Sequence, residues 1–147
     1  RRAALALGVS RVVDSDRDAV LAASAARQPD VVFETVGGHA ATLDLALEVV
    51  RPGGSIVALG LFTQPVTLHP LRFLAKEARI VSSMMYSRNG RRPDFVEALE
   101  LLRDDRERLA TLVTHHVPLD EIDRGFAIAA DKRSGAIRVS VEVAQKL

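Results

Sequence analysis

The chain has 147 residues, 20 basic and 19 acidic side chains for a net charge of +1, and a composition 48% hydrophobic and 27% charged. That balance supports one core of ordinary size, in one or two domains, and gives no electrostatic case for nucleic acid or an anionic membrane surface. Cysteine is absent, which excludes disulfides, thiolate zinc clusters and thiol nucleophiles and fits a reducing cytoplasm; no apolar run reaches the roughly 20 residues that span a bilayer.

Arg1 to Leu7 predicts the last turns of a helix, with Ala3, Ala4 and Leu7 on one face and Gly8 as its stop. The start has neither an initiating methionine nor a signal-peptide layout and reads as a cut into a longer chain. Val9 to Val13 then predicts a short strand. Asp14, Ser15 and Asp16 offer N-caps to a helix through Val20, Leu21, Ser24 and Ala25 that ends before Pro29. Asp30 to Thr35 is the next strand, and Val31, Val32 and Phe33 give it a fully buried pattern.

After Gly37-Gly38, the stripe Leu43, Ala46, Leu47 and Val50 predicts a helix from His39 to Val50 packed on a sheet. Pro52-Gly53 is a tight turn, with proline fixing φ and glycine taking the positive φ, into a strand over Ser55 to Leu59 closed by Gly60. Two apolar strands joined by a helical crossover make a βαβ unit, with glycines just past both strand ends. That carboxyl edge is where ligands bind in open α/β sheets.

Further on, Pro65 and Pro70 break regularity before a helix at Leu71 to Lys76 and a strand at Arg79 to Met84. Phe95, Ala98, Leu99 and Leu102 share one side of a helix from Asp94, with Pro93 in its first turn. Leu109 to Val117 fits either helix or strand. Asp120 caps a helix carrying Ile122, Phe126 and Ala129 through Ala130, and Ala136 to Val143 alternates as a final strand.

Several polar residues have competing readings. The basic cluster Arg88, Arg91 and Arg92 around Asn89-Gly90 reads as a solvated loop rather than a phosphate site. Adjacent His115 and His116 diverge on either a helix or a strand, so packing or surface is favoured over metal. Glu34 ends a buried strand and is either a base or, as favoured, a hydrogen-bonding partner within its own turn. Neither Thr35 nor Ser55 has the surroundings of a hydrolase nucleophile.

The segments Asp30–Gly37 (DVVFETVG), Val50–Gly60 (VRPGGSIVALG), Val113–Ile122 (VTHHVPLDEI) and Gly135–Arg138 (GAIR), in that order and spacing, resemble the C-terminal part of the medium-chain, zinc-dependent alcohol and polyol dehydrogenases. The resemblance covers essentially the whole chain. It implies an α/β fold: a partial Rossmann-type, doubly wound parallel sheet missing its first two strands, followed by C-terminal helices and a strand. Residues 1–85 would be an incomplete nicotinamide-dinucleotide-binding region, and 86–147 a segment packing back on the catalytic domain. No Gly-x-Gly-x-x-Gly is present. The family's zinc ligands and proton relay belong to an amino-terminal domain outside these residues.

By the same resemblance, Val36 and Gly37 lie beside the nicotinamide ribose, Leu59, Gly60 and Leu61 contact the carboxamide, and Ser83, Met84 and Met85 complete that contact. Arg138 would touch the cofactor pyrophosphate, which a guanidinium fork suits. Gly38 equally fits a plain strand-to-helix turn, and for the methionines alone core packing is favoured over cofactor contact. No residue is assigned a catalytic or metal-binding role. The cofactor would be NAD or NADP and the substrate an alcohol or polyol, with zinc in the absent domain. A dimer or higher assembly would form through residues 61–84, with Leu68, Leu71, Phe73 and Leu74 at the contact and the Arg79 to Met84 strand at an open edge.

The implied activity is hydride transfer between nicotinamide and an alcohol or carbonyl carbon, by a cytoplasmic enzyme of which this chain alone would be inactive. Three other readings stand beside it: a zinc-free quinone or enoyl reductase of the same superfamily, the carboxyl half of an S-adenosylmethionine methyltransferase, and a non-catalytic oligomerising remnant. Removing two strands leaves a gap of roughly 14 Å in the sheet at about 4.8 Å per strand. The Val9 to Val13 segment is therefore expected to be repositioned, disordered or paired with another copy.

Overall fold

A computed structural model describes residues 1–39, 41–84 and 92–143. The chain forms two compact units, Val13–Asp94, and Arg1–Val12 with Phe95–Leu147. Helix α1 (Arg2–Ala6) opens the second of these, and the Val9 N–H extends it by bonding to the Ala4 carbonyl at 3.1 Å. The strand expected over Val9–Val13 does not form. A strand is held by the ladder it joins, and among the described residues this segment joins none.

In the unit Val13–Asp94, α2 (Arg17–Ala25) starts at Asp16, whose Oδ1 accepts the Ala19 N–H at 2.9 Å. Then follow β1 (Val31–Glu34), α3 (Thr42–Val49), β2 (Ser55–Ala58), α4 (Pro70–Lys76) and β3 (Arg79–Ser82). The strands form a parallel sheet in the order β1-β2-β3, the expected βαβ arrangement. Its register sets Val32, Ile56 and Ile80 in one row. That row meets α3, whose Ala46 and Leu47 form the buried core with Val50, Ile56 and Ala78; Leu43 and Phe73 pack at its margin.

The opposite row is open: Phe33 is 64% exposed, Val81 49% and Val31 45%. This corrects the fully buried reading of β1. Successive strand residues point to opposite faces, and among the described residues the helical layer lies on the Val32 face.

Local chemistry fixes the connections. Gly53 has φ +69°, the positive value its turn requires, and the Gly54 N–H closes the turn on the Arg51 carbonyl at 3.0 Å. The C-terminal carbonyls of α3 are satisfied from α4, because Lys76 Nζ donates to the Glu48 and Val50 carbonyl oxygens, each at 2.5 Å. On the polar side of α3, Glu48 pairs with Arg17, and Arg72 reaches Asp44 at 3.2 Å. Phe73, expected at a subunit contact, packs partly buried against this core, while Leu71 and Leu74 are exposed.

The other unit contains α5 (Asp94–Asp104), α6 (Arg106–Ala110), β4 (Val113–Pro118), α7 (Ile122–Ala130) and β5 (Arg138–Glu142). The ambiguous segment thus divides, ending a helix at Ala110 and beginning a strand at Val113. Strands β4 and β5 pair in parallel through the α7 crossover. Gly125 lets α7 approach β4 closely, since a Cβ there would lie 2.9 Å from Val117 Cγ2. Asp120 does not cap α7: a 3₁₀ turn over Leu119–Glu121 intervenes, and α7 begins without a side-chain cap. The Arg108 guanidinium donates to the Leu7 carbonyl at 2.7 Å, fixing the end of α1.

Leu47 is fully buried, so Leu47→Ala should lower unfolding free energy by about 3 kcal/mol through lost burial and a cavity. Urea unfolding monitored by circular dichroism measures this; a loss below about 1 kcal/mol would show that the α3 face is not a core.

Candidate functional site

The carboxyl edge of the three-stranded sheet is organised by Glu34, the last residue of β1. Its side chain is 4% exposed and folds back beneath its own loop. Oε1 accepts three donors: the Val36 N–H at 2.9 Å, the Gly37 N–H at 3.0 Å and the Thr42 hydroxyl at 2.7 Å. Burial pushes the carboxyl pKa up, but the bonds from Thr42, Gly37 and Val36 outweigh it and hold it below the ordinary 4.5. Glu34 is therefore a carboxylate at neutral pH, with Oε1 committed to its own turn and to Thr42. The favoured reading, bonding within the turn, describes it.

The main chain of Glu34 binds the second loop. Its carbonyl accepts the Leu59 N–H at 2.8 Å and the Gly60 N–H at 3.0 Å. The two loops then touch: the Gly38 N–H donates to the Leu61 carbonyl at 2.7 Å, and Gly38 bridges Phe62 in parallel sense. Only glycine permits this approach. A Cβ on Gly37, which has φ +61°, would lie 2.5 Å from Leu61 N, and one on Gly60 would lie 2.4 Å from both Glu34 Oε2 and Gly37 N.

Val36, Gly37, Leu59, Gly60 and Leu61 are thus brought together by direct contact of their loops. Gly37 is buried in the junction, whereas Val36, Leu59 and Leu61 project outward at 67%, 42% and 59% exposure. Ser83 continues the ladder beside them, its N–H bonding to the Ala58 carbonyl at 3.3 Å, and Met84 follows, exposed. Met85 lies outside the described residues, as do Arg88 and Arg91. Arg138 belongs to the other unit, at the first position of β5 opposite Val113, with its side chain exposed. A depression of about 300 Å³ lies between the loops, lined by Gly38, His39, Ala41, Gln64, Pro65 and Thr67 among others.

Thr42 was not legible as part of this site. The sequence pattern starts the helix at His39, which would make Thr42 an ordinary helical residue; the left-handed Gly37 and Gly38 delay the start to Thr42, whose hydroxyl then meets Glu34. On β4, His115 and His116 face opposite ways: His115 is half-buried with Nδ1 3.0 Å from the Thr114 hydroxyl, and His116 is exposed with Nδ1 3.4 Å from Glu142.

Residues 1–104 match the zinc-binding dehydrogenase family. The chain belongs to that family. Among curated relatives, it is 31% identical over 114 residues to a putative D-xylulose reductase of Rhizobium meliloti, covering 78% of this chain and 31% of that protein. It is 27% identical over 127 residues to an alcohol dehydrogenase of Cupriavidus necator, covering 85% of this chain and 34% of that one. The crystal structure of 2R,3R-butanediol dehydrogenase from Bacillus subtilis superposes with a TM-score of 0.75 at 25% identity, over 97% of this chain and 40% of that one. The chain spans about a third of the length of the curated relatives it matches. Zinc itself has no fit to these residues: the sequence lacks cysteine, and the described residues contain no group of three His, Asp or Glu able to hold a metal.

Glu34→Gln should cost about 2 kcal/mol of stability near neutrality, the scale of hydrogen bonds to a charged group. Because the folded pKa is depressed, the stabilisation is present above 4.5 and fades as pH falls through the lowered value. The difference between wild type and variant in urea unfolding should therefore shrink as the solution is acidified below 4.5. A difference independent of pH would contradict a charged Glu34.

Proposed function

We propose that this chain forms one wall of the nicotinamide cleft of an NAD(P)-dependent dehydrogenase acting on an alcohol or polyol. The observation that carries the reading is the Glu34-organised edge, at the strand ends where open parallel sheets bind ligands. A nicotinamide ring presents flat apolar faces and an amide. The edge offers matching chemistry: exposed Val36, Leu59 and Leu61 around main chain that glycine leaves accessible. When bound, the cofactor supplies hydride exchange at a ring carbon. Val36, Leu59 and Leu61 would pack one side of the ring and exclude water, the main chain at Gly60–Leu61 and Ser83–Met84 would orient the carboxamide, and Arg138 would meet a phosphate. Met85 is proposed in the same contact.

Substrate activation is assigned to sequence beyond these residues, with zinc there as the Lewis acid. Residues 1–85 are read as the dinucleotide-binding part and 86–147 as the part packing on the catalytic domain, in a cytoplasmic protein. The open Val31, Phe33 and Val81 face supports a sheet whose remaining cover comes from elsewhere in the parent protein. Parallel pairing of β3 to β2, together with family membership, sets aside the methyltransferase reading.

With no glycine-rich phosphate turn in these 147 residues, the chain should bind NADH only weakly and show no alcohol oxidation. Calorimetry of the purified chain with NADH and with NADPH should give no micromolar constant; one in that range would contradict the assignment of the phosphate site to other sequence.

The same reading includes a homodimer or higher assembly through 61–84. Within the described sheet β3 pairs only with β2, and Leu71, Leu74, Val81 and Met84 are exposed beside it. The Arg79 and Ser83 N–H groups bond inward to β2, so Ser82 presents its N–H outward. Ser82→Pro should convert the assembly to monomer while keeping the β2 bonds, as read by sedimentation equilibrium. An unchanged mass would reject pairing through this edge.

A further inference from the structure

Glu34 is a buried charge that touches both loops of the edge. Its Oε1 takes the whole set of donors from the first loop and from Thr42 at the start of α3, while its carbonyl takes the donors of the second. Oε2 is buried without a hydrogen-bond partner, pressed on Gly60, whose N–H is given to the Glu34 carbonyl. An apolar residue here would take the acceptor from the Val36 amide and leave the Gly37 amide buried without one. A glutamine would keep one acceptor oxygen but turn an NH₂ group toward the already committed Gly60 amide. The glycines permit the loops to approach, and the carboxylate specifies that they do.

We propose that Glu34, with Thr42, is a positioning residue for the nicotinamide wall: it fixes the Val36–Gly38 loop against Gly60–Leu61 and so sets the surface the ring meets. This rests on the reading of the edge as a nicotinamide wall. A glycine-rich pair of loops without such an anchor would sample many separations, and the ordering cost would fall on ligand binding. The carboxylate meets that cost on folding.

The test uses the ¹⁵N-labelled 147-residue chain titrated with NADH into the millimolar range, following the amides of Val36, Gly37, Gly60 and Leu61. In wild type these amides should shift together and saturate. Glu34→Gln should weaken the constant about tenfold and Thr42→Ala about threefold, with Thr42→Ser near wild type. Val117→Ala, a substitution of a buried side chain on β4, should lower stability and leave the constant unchanged. Should Glu34→Gln not fold, the Thr42→Ala loss and its rescue by Thr42→Ser decide alone. An unchanged constant in the variants, with the Val36 and Gly37 amide signals displaced, overturns the positioning role but keeps the wall. Absence of any NADH-induced shift in wild type overturns the wall itself, and the positioning role with it.

Discussion

A single buried carboxylate holds the carboxyl edge of this sheet together. Parallel strands end with their carbonyls and following loops on the same side, so loops after neighbouring strands must be kept apart or tied together. Here Glu34 ties them, by side chain to Val36, Gly37 and Thr42 and by main chain to Leu59 and Gly60. Burying a charge is expensive unless several donors meet it. Three do, and their preference for the ionised form outweighs desolvation. The cost of a bare glycine junction is thereby replaced by a defined geometry.

That geometry depends on layers beneath it. Leu47 and Ala46 of α3 press on Ile56, which fixes the height of the helix over the sheet and so brings Thr42 to the carboxylate. Lys76 and the Pro52-Gly53 turn hold the other end of α3 against α4 and β2. The two ends of α3 thus have different tasks. One is capped for stability, and the other completes the site.

Much of this was legible in the residues. The apolar run before Glu34 and the Arg-Pro-Gly-Gly before Ser55 identify β1 and β2, since a short β-branched run with turn residues at its boundary has few alternatives. Their parallel pairing and the α3 stripe follow from the same pattern. What failed was information that a local pattern does not contain. Val9–Val13 has strand composition but no ladder to join among the described residues, and Val31 and Phe33 have core composition on a face that carries no layer here. Asp120 has a capping side chain, but a 3₁₀ turn displaces the helix start. Thr42 was hidden because two consecutive left-handed glycines move the first turn of α3. The grouping of Val36, Gly37, Leu59, Gly60 and Leu61 was available only through resemblance, and the Glu34 anchor beneath it explains physically why those positions meet.

The chain is about a third the length of its relatives, and what we propose for it is a surface rather than a complete reaction: the edge above Glu34 would receive the nicotinamide ring. Isotope-edited NOE spectroscopy of the labelled chain with millimolar NADH tests it most directly. Contacts are expected from the ring protons to the side chains of Val36, Leu59 and Leu61. Contacts confined to residues away from this edge would contradict it.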